Sequence, residues 1–155
     1  MTVKKYFLAI VIPAPLFEKV EAVKQKLFEE QELKGALRSP AHITLHRPFE
    51  WKEEKENVLI EKLKAFNFAQ QFSVELNNFS FFEPRVIYVD VNPNADLLML
   101  HNELKMYAKK ELKLFNEVNE RRGYQPHITV ASRDLKNPKF YQLKPYFENE
   151  KLAGS

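Results

Sequence analysis

The stretch SPAHITLHRPF, residues 39–49, carries a histidine and a threonine spaced as His-x-Thr in a segment rich in β-branched residues. A closely similar stretch, YQPHITVASRD, occurs at residues 124–134. In each copy a proline stands one or two residues before the histidine, and an aliphatic residue follows the threonine. The sequence therefore contains one short motif twice, near the two ends of the chain.

Both copies are predicted to be strands, and strand geometry decides which side chains they present. Successive side chains of a strand point to opposite faces. His42 and Thr44 are therefore expected on one face, with Ile43 and Leu45 on the core side. The second copy has the same arrangement, with His127 and Thr129 on one face and Ile128 and Val130 opposed to them.

The setting of the motif is repeated as well. An apolar strand (FLAIVI), a helix and HITL are matched later in the chain by VIYVDV, a helix and HITV. This repetition predicts an α+β protein with two pseudo-equivalent lobes, each presenting one His-x-Thr strand. Because no Gly- or Ser-rich linker separates the halves, residues 1–155 are expected to form a single domain.

Hydrophobic periodicity supplies the other elements. We predict strands at residues 5–12, 42–45, 72–82 (one or two strands), 85–91 and 127–130, and helices from Pro15 to near Gly35 and at 53–66, 94–115 and 137–147. The last dozen residues contain no strand-like run, so we expect no strand there. Either the protein is short at this end or the chain is truncated, and the completeness of the second sheet stays open.

Two histidines and two threonines on converging strands would suit a phosphodiester substrate. An imidazole has an ordinary pKa of about 6.5, so a pair can supply a base and an acid near neutral pH. Threonine hydroxyls are neutral donors that can hold the non-bridging phosphate oxygens. A single His-x-Thr would more often be structural, but two matched copies favour a shared chemical role.

Three further side chains are candidates for lining the same site. His46 continues the alternation of His42 and Thr44, and Arg133 continues that of the second motif. Tyr124 could stack a base, although core packing is the commoner role of a single aromatic residue. Arg47 lies just beyond the first motif, where we predict the start of a turn, and is a weaker candidate.

The apolar stripe of the third helix contains His101, which we interpret as a partly buried structural residue. His42 and His46 are four residues apart, but on a strand rather than a helix and without a companion carboxylate, so no metal site is predicted. No cofactor is expected either, because a chain with three glycines has no Gly-rich phosphate loop.

Composition limits the remaining classes. The chain has no cysteine, which excludes thiolate zinc sites and cysteine nucleophiles. The basic start and apolar run of residues 1–17 resemble a signal peptide, but two prolines interrupt the run and no small-residue cleavage site follows. We therefore expect a cytoplasmic protein without membrane association. A net charge of +3 suits a short or small anionic ligand better than long duplex RNA.

The paired motifs, together with the opening FLAIVIP strand and the VIYVDV strand, resemble the two-histidine (2H) phosphoesterase superfamily, in its 2′-5′ RNA ligase and cyclic phosphodiesterase branch. The resemblance implies a bilobal fold with antiparallel sheets around a central cleft, and metal-independent opening of 2′,3′-cyclic phosphates to 2′-phosphates. Some members also join 2′-5′ ends reversibly. Carried over to this chain, His42 and His127 would be the general base and acid, in either order. Thr44 and Thr129 would bind the phosphate.

Three functions remain open from the sequence. The first is a phosphoesterase acting on RNA 2′,3′-cyclic phosphate ends or small cyclic nucleotides. The second is a nucleotide- or RNA-binding module without turnover, which would not need two titratable groups. The third is a phosphoesterase acting on a non-RNA cyclic phosphate. We expect a monomer.

Overall fold

The computed structural model describes residues 2–68, 71–117 and 123–154. Its first half consists of strand β1 (Val3–Val11), helix α1 (Leu16–Gln31), a 3₁₀ turn (Gly35–Arg38), strand β2 (His42–Lys52), a second 3₁₀ turn (Glu53–Lys55) and helix α2 (Glu56–Ala65). Its second half consists of strands β3 (Leu76–Phe82) and β4 (Val86–Val91), helix α3 (Ala95–Glu111), strand β5 (His127–Ala131), helix α4 (Asn137–Asn149) and strand β6 (Ala153–Gly154). The predicted order of strands and helices is confirmed up to β6.

Local chemistry accounts for two of the helix starts. Asn94 precedes α3 in an extended conformation, and its side-chain oxygen accepts a hydrogen bond of 2.8 Å from the backbone N–H of Leu97. This bond satisfies one of the N–H groups that a helix leaves without an internal partner. Helix α4 has a proline in its first turn, where the missing N–H costs nothing.

Two antiparallel sheets confirm the predicted α+β class. One sheet pairs β1 with β2. The backbone N–H of Ile12 donates to the carbonyl of Ala41, and that of Glu53 donates to the carbonyl of Thr2. The end of β1 therefore lies beside the start of β2, so the two strands are antiparallel. The other sheet has four strands in the order β5-β4-β3-β6, each antiparallel to its neighbours.

The last residues that the structure describes form a strand, so the expectation of no strand in the last dozen residues is wrong. Strand β6 pairs its two residues with Leu76 and Asn77 of β3. Asn78 extends the contact, since its side-chain oxygen accepts from the backbone N–H of Leu152 and its own N–H donates to the Leu152 carbonyl. A strand this short is defined by the edge that it pairs with, and its own composition gives no signal.

Strand β2 is much longer than the predicted HITL segment. The whole strand has eleven residues, so Arg47 lies within it and the prediction of a turn there is wrong. Pro48 follows in the same strand and is exposed. Strand β2 pairs with β1 in a sheet of two strands, so it is an edge strand. A proline is tolerated in an edge strand where its nitrogen faces away from the paired strand, because no hydrogen bond of the sheet is then lost.

The chain divides into two compact units. Unit 1 comprises Met1–Ala9, Thr44–Phe72 and Pro93–Gln125, and unit 2 comprises Ile10–Ile43, Ser73–Asn92 and Pro126–Ser155. The boundary falls inside β2, between the first two residues of the motif and its threonine. Both motif histidines consequently belong to unit 2.

Each unit has its own core. In unit 1, a cluster of buried residues comes from β2, from α2 and from α3 with the residue that follows it: Phe49, Leu59, Ala108 and Leu112. Partly buried aromatic and aliphatic side chains pack around this cluster. In unit 2, helix α1 packs against β5, and helix α4 packs against β3 and β4. The residues buried between these helices and the sheet include Val20, Ile87, Val89, Ile128 and Phe140, all of them 0% exposed.

Within the described ranges, no helix combines the length and the apolar character needed to cross a bilayer.

Candidate functional site

The first His-x-Thr motif opens strand β2. His42 and Thr44 are half-buried, whereas Ile43 is 0% exposed and Leu45 is 6% exposed. The predicted alternation is therefore confirmed over these four residues. The histidine and the threonine are the two that keep surface for a ligand.

The second motif forms most of strand β5 and repeats this pattern. His127 and Thr129 are half-buried, and the intervening Ile128 and the following Val130 are buried. In the register with β4, Asp90 lies opposite His127 and Tyr88 lies opposite Thr129. The buried aliphatic residues fix the strand face, so the side chains that could contact a ligand are again the histidine and the threonine.

The imidazole of His42 has a defined tautomer when it is neutral. Its Nδ1 lies 2.7 Å from the carbonyl oxygen of Pro40. A carbonyl oxygen can only accept, so Nδ1 must carry the proton, and the lone pair of the neutral ring is on Nε2. The ring can therefore accept a proton at Nε2 and, once protonated, donate it from the same atom.

His127 lies among aromatic rings of β3 and β4. The ring of Phe82 meets it edge-on with centroids 5.1 Å apart, and the ring of Tyr88 lies at the same centroid distance with an interplanar angle of 57°. Tyr88 is itself buried, at 9% exposure. These contacts orient the imidazole through packing, and Tyr88 is part of the buried core.

The backbone of Thr44 is held from within unit 1. The hydroxyl of Tyr124 donates a hydrogen bond of 2.6 Å to the Thr44 carbonyl. The ring of Tyr124 is stacked on His101, with centroids 3.8 Å apart and planes inclined by 2°. Burial raises the pKa of Tyr124 far above its ordinary value, so its hydroxyl stays protonated and can donate. One face of this ring is covered by the protein, so that face cannot stack on a base.

His46 departs from the predicted alternation. Its side chain is 0% exposed, although it follows the half-buried Thr44 by two residues. The ring lies edge-on to Phe49, with centroids 5.5 Å apart, and Nδ1 contacts the carbonyl of Arg47 at 2.8 Å. Nε2 has no hydrogen-bond partner among the described residues. The ring has no surface open to a ligand because the strand turns it into the core of unit 1.

The two arginine candidates lie in different surroundings. Strand β5 ends at Ala131, which is 1% exposed, and Arg133 follows it in a left-handed conformation with φ of 47°. The alternation that placed Arg133 beside Thr129 is therefore wrong, because it does not extend past the end of the strand. Arg47 pairs with Glu117, its Nε lying 3.2 Å from a carboxylate oxygen.

Sequence reasoning missed two buried charged residues, Lys24 and Glu117, that contact residues near the first motif. Lys24 is 2% exposed, and its partner Glu21 lies one turn earlier on α1. Glu117, at 7% exposure, contacts both Arg47 and His101. A signal was available for Lys24 only: it stands four residues after Val20, on the apolar stripe of α1, where a charge is unexpected.

The predicted burial of His101 on the apolar stripe of α3 is confirmed, since the residue is 8% exposed. Burial lowers the pKa of His101, and Glu117, with a carboxylate oxygen 3.8 Å from its Nε2, acts in the opposite direction. The unfolded chain therefore takes up a proton at a higher pH than the folded protein. Stability carried by the neutral ring is present above about pH 6.5 and is lost as the pH falls below it.

We expect the substitution His101→Gln to flatten the fall in unfolding free energy between about pH 7 and pH 5. It should also lower stability at pH 7.5, because the stack on Tyr124 is lost, and leave turnover within about threefold. Urea unfolding at several pH values measures the first effect. The matched variant His101→Phe also cannot titrate but restores the stack. An unchanged pH slope in both variants would contradict this account.

Comparison with known proteins places these motifs in a family context. The family model of the 2′-5′ RNA ligase superfamily matches residues 12–154. The chain is 30% identical over 142 residues to a protein of Oceanobacillus iheyensis named "Putative phosphoesterase". The match covers 90% of this chain and 76% of that protein. Proteins with the same description from Geobacillus sp. (strain WCH70) and Geobacillus kaustophilus are 32% and 34% identical over 106 and 101 residues. Those matches cover 65% and 62% of this chain, which spans 56% and 53% of their lengths.

Proposed function

The chain belongs to the 2′-5′ RNA ligase superfamily, and on that premise we propose that it is a phosphoesterase that opens 2′,3′-cyclic phosphates of RNA ends or nucleotides to 2′-phosphates. The observation that carries the proposal is the duplicated motif. In both β2 and β5 a half-buried histidine and a half-buried threonine alternate with buried aliphatic residues. Two titratable groups held in this way suit acid–base catalysis better than binding alone.

The proposed reaction divides the proton transfers between the two imidazoles. One neutral imidazole removes a proton from water as the water oxygen attacks phosphorus. The other, protonated, imidazole donates a proton to the 3′-oxygen as its bond to phosphorus breaks, which leaves a 2′-phosphate. With the 5′-hydroxyl of a second RNA end in place of water, the same two proton transfers would form a 2′-5′ phosphodiester as the bond between phosphorus and the 3′-oxygen breaks. The roles of the two imidazoles exchange when that diester is cleaved back to the cyclic phosphate and the hydroxyl. For His42 the working atom is Nε2, because Nδ1 is held by the Pro40 carbonyl.

Thr44 and Thr129 would bind the non-bridging phosphate oxygens. Their hydroxyls are neutral donors, so they can stabilise negative charge without altering the proton balance of the histidines. The neighbouring structure supports this role for Thr44, since its carbonyl is fixed by the Tyr124 hydroxyl at 2.6 Å. A fixed backbone reduces the number of orientations open to the side chain.

The segments that carry the two histidines are also tied together within unit 2. The carboxylate of Asp134, three residues after the end of β5, accepts hydrogen bonds from the backbone N–H groups of Lys34 and Gly35. These residues lead into the segment before His42. A Cβ atom at position 35 would lie 2.7 Å from a carboxylate oxygen of Asp134, so this close approach depends on glycine. The link supports a functional relation between the two motifs.

The function is tested by incubating the protein with 2′,3′-cyclic mononucleotides and with short RNA ending in a cyclic phosphate, with EDTA present. We expect a 2′-phosphate product and a rate that EDTA leaves unchanged, because the proposed acid and base are side chains. The control is the His42→Ala variant purified in the same way, which exposes contaminating ribonucleases.

Other outcomes distinguish the alternatives. A 3′-phosphate product, or loss of the rate in EDTA, would contradict the two-histidine mechanism. Binding of the RNA without turnover, by equilibrium titration, would favour a binding module. Turnover restricted to cyclic phosphates that lack a nucleoside would move the substrate class away from RNA.

A further inference from the structure

We propose that the ion pair between the buried Lys24 and the partly exposed Glu21 positions His42 for catalysis, an inference that rests on the proposed function. Both residues lie on α1, and neither belongs to the His-x-Thr motifs. The ammonium of Lys24 contacts a carboxylate oxygen of Glu21 at 2.7 Å. The pair acts on His42 through the three residues that precede it, 39–41, which we call the approach segment.

The pair holds the approach segment at both ends. Lys24 Nζ donates a hydrogen bond of 2.8 Å to the carbonyl of Ser39. The same Glu21 oxygen that meets Lys24 accepts a hydrogen bond of 2.8 Å from the backbone N–H of Ala41. One ion pair on α1 therefore fixes both the carbonyl of Ser39 and the N–H of Ala41, on either side of the one residue between them.

That residue is Pro40, and its carbonyl is the acceptor for His42. Its oxygen lies 2.7 Å from His42 Nδ1. The carbonyl of Ala41 is held as well, because it accepts from the backbone N–H of Ile12 at 3.1 Å. The carbonyl that sets the tautomer and orientation of the His42 ring is thus fixed on its preceding side by Lys24 and on its following side by Glu21 and Ile12.

The cost of burying the charge argues that stability alone does not explain Lys24. Its side chain is 2% exposed and stands between Val20 and Leu27 on the buried face of α1. A well-packed apolar side chain at such a position is often at least as stabilising as a buried ion pair, because the charges must be desolvated. What an apolar residue cannot supply is a donor for the Ser39 carbonyl.

Small displacements at this point would affect the rate. A reacting group displaced by about 1 Å can cost up to about 100-fold in rate, because the reaction depends on the alignment of the reacting atoms. The imidazole of His42 is attached to the approach segment both through its own backbone and through the Pro40 hydrogen bond. Loosening this segment would shift the base or acid without removing it.

The test compares Lys24→Met with the unmodified protein, by steady-state kinetics on a 2′,3′-cyclic nucleotide and by nitrogen NMR of the His42 imidazole in the ligand-free protein. Methionine retains most of the side-chain volume and removes the donor. We expect kcat to fall by about 10- to 100-fold with KM within about threefold. The NMR spectrum should change from one tautomer, protonated at Nδ1, to a mixture of two.

The stability control is Leu27→Ala, on the same buried face of α1 and 5% exposed in the parent structure. It is expected to lower Tm by several degrees through the cavity it leaves, while kcat stays within about threefold. Should Lys24→Met fail to fold, the comparison of Glu21→Gln with Glu21→Ala decides the matter. Glutamine keeps an acceptor oxygen for the Ala41 N–H, so we expect it to retain more activity and more of the single tautomer than alanine.

The outcomes separate this inference from the proposed function. If Lys24→Met loses as much stability as Leu27→Ala but keeps its kcat and its His42 tautomer, the pair is structural and the inference is overturned. If the unmodified protein turns over no cyclic phosphate, the proposed function fails and the NMR comparison still decides: a changed tautomer shows that the pair positions the His42 ring, and an unchanged one overturns the inference.

Discussion

Replacing His42 with alanine is expected to lower kcat on a 2′,3′-cyclic nucleotide by about two to four orders of magnitude. The physical reason is the loss of Nε2, the atom that the Pro40 hydrogen bond leaves as proton acceptor in the neutral ring. The fold should persist, since His42 is half-buried and the strand is anchored by the buried side chains of Ile43 and Leu45. Steady-state kinetics, with circular dichroism to monitor folding, measures both effects.

A matched variant separates the two functions of the His42 ring. Asparagine at position 42 can place an amide N–H near the position of Nδ1, so it can keep the hydrogen bond to the Pro40 carbonyl while offering no base. We therefore expect His42→Asn to be as inactive as His42→Ala, with an approach segment closer to that of the unmodified protein. A near-normal rate in either variant would exclude His42 as base or acid.

Replacing His127 with alanine is expected to have an effect of the same size, about two to four orders of magnitude in kcat. The double variant, without either histidine, should be at most about tenfold slower than the slower single variant. The reason is that the two imidazoles would act in one step, so removing the first already abolishes most of what the second contributes. Measuring kcat/KM for the four proteins gives the coupling directly.

The control for His127 is a histidine outside the motifs. His101→Gln alters a buried ring of unit 1 and should leave turnover within about threefold. Fully additive losses in the double variant would mean that His42 and His127 contribute independently, which a shared acid–base step does not allow. A loss in His101→Gln as large as that of His127→Ala would indicate that histidine substitutions reduce the rate through the fold.

The sequence predicted most of the fold because its signals are local and strong. The β-branched runs at β1, β4 and β5 and the apolar stripes of α1 and α3 specify strands and helices without reference to the rest of the chain. The alternation inside both motifs followed from the period of two along a strand. The pairing of the short strand β6 with β3 did not follow, since two residues carry no periodicity.

The candidate site was predictable only in part. The sequence proposes His42, Thr44, His127 and Thr129 as site residues because the motif occurs twice, and their roles stay a prediction. It misplaced His46 and Arg133, because the alternation was extended beyond the residues to which it applies. His46 turns into the core of unit 1, and Arg133 lies past the end of β5 in a left-handed conformation.

The sequence by itself determined the element order, the α+β class and the four motif residues, because each depends on the period and composition of a short segment. Only the tertiary structure decided what fixes those residues. Lys24 and Glu21 form hydrogen bonds with the approach segment, which lies well over ten residues further along the chain. The hydroxyl of Tyr124 donates to the carbonyl of Thr44. The physical reason is that a hydrogen bond between distant residues depends on packing, which brings a donor within about 3 Å of an acceptor, and no local pattern encodes that distance.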